Sequence, residues 1–208
     1  MLLQTWKSAD NIVRKDIIKP GNFSIKPTDC ASCEIVIENI NVINASVEDL
    51  KNKFNSQILH GISKKMLTIG EANCEIDRQI ERAIQMMMVL EKSLVTIDIM
   101  LEGIDDRLVI KFEITLNKMQ PYKPIWEWTP QDKYSIALKY KEAGVCLFQK
   151  HRYVDAFYKF KNAVTDLKYA VSLEPHNQVI KEQLTIYNTK LQEANQKFED
   201  MVKKMFKA

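Results

Sequence analysis

The stretch Leu108-Val109-Ile110-Lys111-Phe112-Glu113-Ile114-Thr115-Leu116-Asn117 decides how the first half of the chain folds. Leu108, Ile110, Phe112, Ile114 and Leu116 occupy every second position, and Val109, Lys111, Glu113, Thr115 and Asn117 stand between them. A period of two belongs to an antiparallel strand with one face on a core. Just upstream, Val95, Ile97, Ile99 and Leu101 alternate in the same way. The Gly and Asp residues of Glu102 to Asp106 predict a short hairpin loop joining the two.

Working outward, further strands are expected at Ile12 to Lys19, Cys33 to Ile37 and Met66 to Ile69. Ile76, Ile80, Ala83, Ile84 and Met87 share one face at helical spacing and predict an amphipathic helix. Ser46 followed by Asp49 reads as a capping box for a shorter helix near Val47 to Lys53. The first half is therefore read as an antiparallel sheet wrapped on a helix, an α+β arrangement.

Between Gln120 and Pro130 the chain holds prolines at 121, 124 and 130 with Trp126 and Trp128 among them. Such a stretch is neither a helix interior nor a central strand, and an extended linker is expected. The two tryptophans are candidate partner-binding residues; the competing reading is that the rings pin the linker to its own domain.

Beyond Pro130 everything reads as helix. Tyr140, Ala143, Gly144, Leu147 and Phe148 mark one inner face, and Tyr153, Ala156, Phe157, Phe160, Ala163, Val164 and Leu167 mark a second. The short break at Gln149 to Arg152 predicts an antiparallel pair. After Pro175, Ile180, Leu184, Tyr187, Leu191, Ala194, Phe198, Met201 and Met205 recur at alternating spacings of four and three, a heptad seam. Its mixed Ala, Tyr and Phe content favours packing on its own hairpin, with self-pairing into a homodimer as the other use. The domain plan is thus 1–120, a linker 121–130 and an all-α domain 131–208.

Composition narrows the function. The 208 residues are 46% hydrophobic and 27% charged with few Gly and Pro, which excludes disordered and collagen-like classes. His60, His151 and His176 stand far apart and form no metal-binding spacing. Cys30 and Cys33 make a CxxC with no second pair to complete a zinc site, so no metal is expected and the thiols are read as reduced, in a cytoplasmic or nuclear protein. The N-terminus lacks the apolar core of a signal peptide, and no apolar run is long enough to span a membrane. Up to Thr129 there are 16 basic and 18 acidic residues, a net of −2; from Pro130 onward there are 14 and 9, a net of +5. The lysines alternate with acids in the helices, which argues against nucleic acid, and the excess charge suits an acidic protein partner or solvated helix faces.

The helical pair resembles a tetratricopeptide repeat. Counted from Ala137, Gly144 falls at position 8, Ala156 at 20, Phe160 at 24 and Ala163 at 27, where that repeat takes small residues and an aromatic. YKEAGVCLFQKHRYVDAFYKF, Tyr140 to Phe160, is similar to the first repeat of the large immunophilins. With that pointer, the first half resembles a divergent FK506-binding protein domain, on IIKPG at Ile17 to Gly21, Ile35 to Ile37, Ile69-Gly70, and the helix leading through Met87 into EKSLVTI.

The resemblance implies a proline-isomerase pocket built of aromatic rings under a flap. Ile37 aligns with the pocket tyrosine, Ile80 with the floor tryptophan and Ile110 with a late phenylalanine; no FDSS-like segment follows Asn39, and the flap shrinks to the residues around Gly103 to Asp106. The resemblance therefore implies a scaffold without isomerase activity, cofactor or catalytic residues. An active isomerase is the outlying alternative. For the repeat it implies a clamp on the acidic tail of heat-shock protein 90, in which Lys141 matches the first lysine but Val145 stands where an asparagine belongs. The divergent members with this architecture imply a different partner, a casein kinase 1-type protein kinase, with a role in circadian timing.

Overall fold

The structure, a computed structural model, describes residues 4–59, 63–100 and 107–205. It divides into two compact units, Met1–Tyr122 and Lys123–Ala208.

In the first unit six strands form one antiparallel sheet: β1 (Thr5–Lys7), β2 (Val13–Lys19), β3 (Ser32–Ile43), β4 (Ser63–Thr68), β5 (Lys92–Ile99) and β6 (Leu108–Gln120), in the spatial order β1-β2-β5-β6-β3-β4. The deciding stretch is β6, and its five alternating apolar side chains are all fully buried. It lies between β5, where Val95 faces Phe112 and Ile97 faces Ile110, and β3, where Ile37 faces Ile114. Each such side chain contributes about 1.5–3 kcal/mol on burial, so a slip of one residue, which would turn the row to solvent, is strongly disfavoured.

The buried row is covered by α2 (Glu75–Ile84), whose Ile76, Ile80, Ala83 and Ile84 are buried. The helix starts at Cys74, whose Sγ accepts the Asp77 N–H at 3.4 Å. It ends three residues before Met87, so Met87 is buried as part of the following turn and not on the helix face the spacing predicted. The short helix α1 (Val47–Asn52) begins at the expected capping box, with Ser46 and Asp49 bonded reciprocally.

Several boundaries differ from the sequence reading. β3 continues six residues past Ile37 because a bulge between Glu38 and Asn41, with Asn39 at φ 54°, lets the strand resume pairing with β6. β4 begins earlier than expected, and the three-residue β1 carries too little pattern to be seen. The hairpin loop Glu102 to Asp106 and His60 lie outside the described residues.

The second unit opens with a 3₁₀ turn, Ile125–Glu127, where a fully extended linker was expected; the Glu127 N–H reaching the Pro124 carbonyl closes it. Three helices follow: α3 (Pro130–Gln149), α4 (Tyr153–Leu173) and α5 (Gln178–Met205). Thr129 and Asp132 form a reciprocal capping box with Pro130 at the first helical position. The α3–α4 corner turns at His151, φ 59°. Small residues let the helices close: Ala137, Ala156, Ala163, Ala170 and Ala194 are all fully buried, and Gly144 lies against the Phe160 ring. On the α5 seam, Ile180, Tyr187 and Ala194 are buried and Leu184 and Leu191 partly so, all packed within this helical unit. The side chains of Met201 and Met205 lie outside the described ones.

Candidate pocket and partner-binding surfaces

The three positions aligned with the ring pocket sit on three elements of one core: Ile37 on β3, Ile80 on α2 and Ile110 on β6. None has any exposed surface, and all belong to the same apolar cluster. Branched aliphatic side chains fill the space and offer neither a ring face nor a hydrogen bond to an amide. What they do is hold sheet and helix together.

Polar groups that the sequence reading passed over surround this core. The Asp77 carboxylate takes a hydrogen bond from Ser56 Oγ at 2.6 Å and one from the Gln57 N–H at 2.8 Å. Burial raises its pKa above the usual carboxylate value despite these donors. Lys65 donates to the carbonyls of Gln57 and Ile58 at 2.9 and 2.8 Å, and burial lowers its pKa. Together they fix the chain between α1 and β4. Glu81 similarly accepts the N–H groups of Gly70 and Ala72 at 3.0 and 2.9 Å.

A fully internal ion pair joins Lys15 to Glu91. Lys15 Nζ also donates to the Met86 carbonyl at 2.7 Å, and Glu91 accepts from the Met88 N–H at 2.9 Å and Ser93 Oγ at 2.7 Å. The signal for it was available: Lys15 occupies the inward phase of β2, in step with Val13, where an unpaired charge would be costly.

Two of the four cysteines lie in the core. Cys33 is buried and its thiol is pushed up to about 11, chiefly by burial and secondarily by the Glu81 charge. Cys74 is buried as well, Cys30 is half-buried at φ 63°, and Cys146 is exposed. Among the described residues no group of three His, Cys, Asp or Glu side chains is arranged to hold a metal ion.

In the helical unit, Lys141 and Val145 are one turn apart on α3. Lys141 is half-buried, with Nζ 6.0 Å from the Tyr187 ring centre. Val145 packs against the cluster of Leu147, Ala156, Phe160 and Ala194. Beneath Lys141 the Tyr187 side chain is fully buried and its hydroxyl has no hydrogen-bond partner among the described residues.

The two linker tryptophans separate into two roles. Trp128 is 5% exposed; its Nε1–H donates to the Lys123 carbonyl at 2.6 Å, and Lys133 Nζ stands 4.0 Å above its ring while pairing with Asp166 at 2.7 Å. That ring pins the linker to its own unit. Trp126 is 82% exposed and is presented to solvent.

Residues 6–121 match the family described as BDBT FKBP like N-terminal. Among solved structures, residues 1–211 of CG17282 superpose with a TM-score of 0.77, at 19% identity and over 96% of both chains. That degree of likeness shows a shared fold: a divergent FKBP-like domain followed by a helical region. A multi-domain immunophilin from Arabidopsis thaliana covers 95% of this chain and 96% of its own at 12% identity, with a TM-score of 0.41. The three FKBP domains of wheat FKBP73 cover 59% of this chain and 51% of theirs at 16% identity, with a TM-score of 0.40. No curated protein sequence matches the chain.

Proposed function

The chain belongs to the BDBT FKBP-like N-terminal family, and from that premise we propose that it is a non-catalytic protein-binding adaptor. The observation that carries the reading is the complete burial of Ile37, Ile80 and Ile110. An isomerase must receive a proline ring and disfavour the planar amide against a barrier of ~18–20 kcal/mol. Three aliphatic side chains with no exposed surface leave no ring face for that. A protease-coupled assay on a proline-containing peptide tests this: the expected rate equals the uncatalysed one, and saturable turnover would overturn it.

For the partner we favour a casein kinase 1-type kinase, Doubletime being the example that the resemblance to Bride of Doubletime implies, with action in the circadian clock and presence in cytoplasm and nucleus. The choice is carried by that resemblance alone; the family description, BDBT FKBP like N-terminal, names no partner. Binding of purified kinase to the purified full chain, with each half compared, is the test.

Heat-shock protein 90 is the alternative partner, through the tetratricopeptide-like helices. Lys141 supports it; Val145, which packs into an apolar cluster and cannot donate, counts against it. A missing donor costs such a clamp about 1–3 kcal/mol. Measurable affinity for an acidic tail peptide, abolished by Lys141→Ala, would favour this alternative.

A further inference from the structure

Among the described residues one buried side-chain oxygen or nitrogen lacks a hydrogen-bond partner, the hydroxyl of Tyr187 on α5. Even the internal Lys15 and Glu91 find partners. Phenylalanine would fill the same space without leaving a donor unmatched, so in the chain by itself this hydroxyl only weakens the fold.

Its surroundings decide what would satisfy it. Burial, and then the neighbouring Tyr134 and Glu142, raise the pKa of the phenol, so at neutral pH it keeps its proton and is able to donate. A second donor stands above it. Lys141 Nζ lies 6.0 Å from the ring centre and has no carboxylate paired with it among the described residues. Tyr134 and Lys141 are two turns apart on α3 and so share the face that looks onto Tyr187. One turn further along, Val145 packs into an apolar cluster and offers nothing polar.

Two donors, one of them cationic, that stand too far apart to bond each other match a group with two acceptor oxygens and a single negative charge. A carboxylate between them takes one hydrogen bond from each, about 2.8 Å on either side. A phosphate dianion would bring a third oxygen and a second charge beside Glu142, and suits the pair less well. The flexible lysine stem lies over the ring, so its swing uncovers the hydroxyl and carries the ammonium to the incoming anion. We propose that Lys141 on α3 and Tyr187 on α5 form a binding site for one carboxylate of a partner peptide. The second donor comes from α5 and not from position 145. The proposal rests on the adaptor reading for the source of the carboxylate and is independent of which partner supplies it.

The test titrates the full chain with acetyl-Gly-Glu-Gly-amide and follows its backbone amides by nuclear magnetic resonance. Saturable shifts are expected around Lys141 and Tyr187, and none with acetyl-Gly-Gln-Gly-amide. Acetyl-triglycine with a free terminal carboxyl separates a chain-end carboxylate from a side-chain one. Tyr187→Phe is expected to weaken binding about tenfold although it stabilises the helical unit, a combination that a purely structural tyrosine would not give. Lys141→Met, which keeps the stem and removes the charge, is expected to weaken it as much, whereas Lys139→Met, at an exposed position of the same helix, is expected to leave it unchanged. Unaltered binding by Tyr187→Phe would overturn the proposal, the hydroxyl then being matched by a trapped water. So would tighter binding of the phosphoserine analogue, or no binding of either carboxylate peptide. Peptide binding as expected, with none of purified casein kinase 1-type kinase, would sink the kinase reading and leave this site standing.

Discussion

Tyr187 carries a hydroxyl that has left water without finding a partner among the described residues. Burial also raises its pKa, so the group remains a neutral phenol that gains nothing from its position. An unsatisfied buried hydroxyl costs about 1–3 kcal/mol. Tyr187→Phe keeps the ring and removes the orphan, and is expected to stabilise the helical unit by about 1 kcal/mol on that account, read as a rise in the urea midpoint followed by circular dichroism. Gly144 argues the opposite case. A Cβ there would stand 2.7 and 2.9 Å from two carbons of the Phe160 ring. Gly144→Ala gains about 1 kcal/mol in helix propensity but incurs about 1–3 kcal/mol of overpacking, so a net loss in the same unfolding experiment is expected. Gly144 could be read from the repeat spacing, whereas nothing in the seam of α5 distinguishes a satisfied tyrosine from an orphaned one.

At the scale of elements, the stretch before α3 shows how far pattern reading goes. Two tryptophans among prolines left open whether either ring was anchored, because anchoring depends on Lys123 and Lys133 and on a carbonyl that no spacing reveals. The structure gives the two rings different work. Trp128→Ala removes a buried ring, a hydrogen bond and the partner of a cation, and is expected to cost about 3 kcal/mol or more; Trp126→Ala is expected to change stability by less than about 0.5 kcal/mol. Chemical denaturation of the two variants side by side checks both. The cap of α3 adds a pH dependence. The Thr129 N–H and hydroxyl, then Lys123, hold the Asp132 carboxyl down to about 2, below its ordinary value of 3.8. A carboxylate depressed in the folded state contributes stability that is complete above the ordinary value and is lost as pH falls through the folded one. Asp132→Asn is therefore expected to lower the melting temperature at pH 7, with the difference from the unaltered chain shrinking below pH 4 and closing near pH 2.

For the whole molecule, the division into a sheet unit and a helical unit was legible because the hydrophobic period changes from two to 3.6 across the prolines. The face of β6, the capping box at Ser46 and the seam of α5 were equally plain, since each depends on neighbours a few residues apart. What stayed hidden depends on distant partners. The extension of β3 past its bulge needs β6 to pair with, β1 is defined only by β2, and the Lys15–Glu91 pair spans 76 residues. Of the candidate site residues, Ile37, Ile80 and Ile110 could be picked out through the resemblance, but that Trp128 is buried and Trp126 exposed could not be read.

The order of the strands bears on how the chain assembles in time. β5 and β6 are neighbours both in sequence and in the sheet, whereas β2, made early, finds its partner β5 only across Val13–Ile97. Closing so long a loop before any pairing rewards it is slow, while the three helices, each packed on the next in sequence, close short loops. On the ribosome β1 and β2 can pair with each other, but the free edge of β2 must wait for β5 until residues near 97 have emerged. The half synthesised first is expected to be the slower to fold, and the exposed strand edges during that interval are where a chaperone would be of most use.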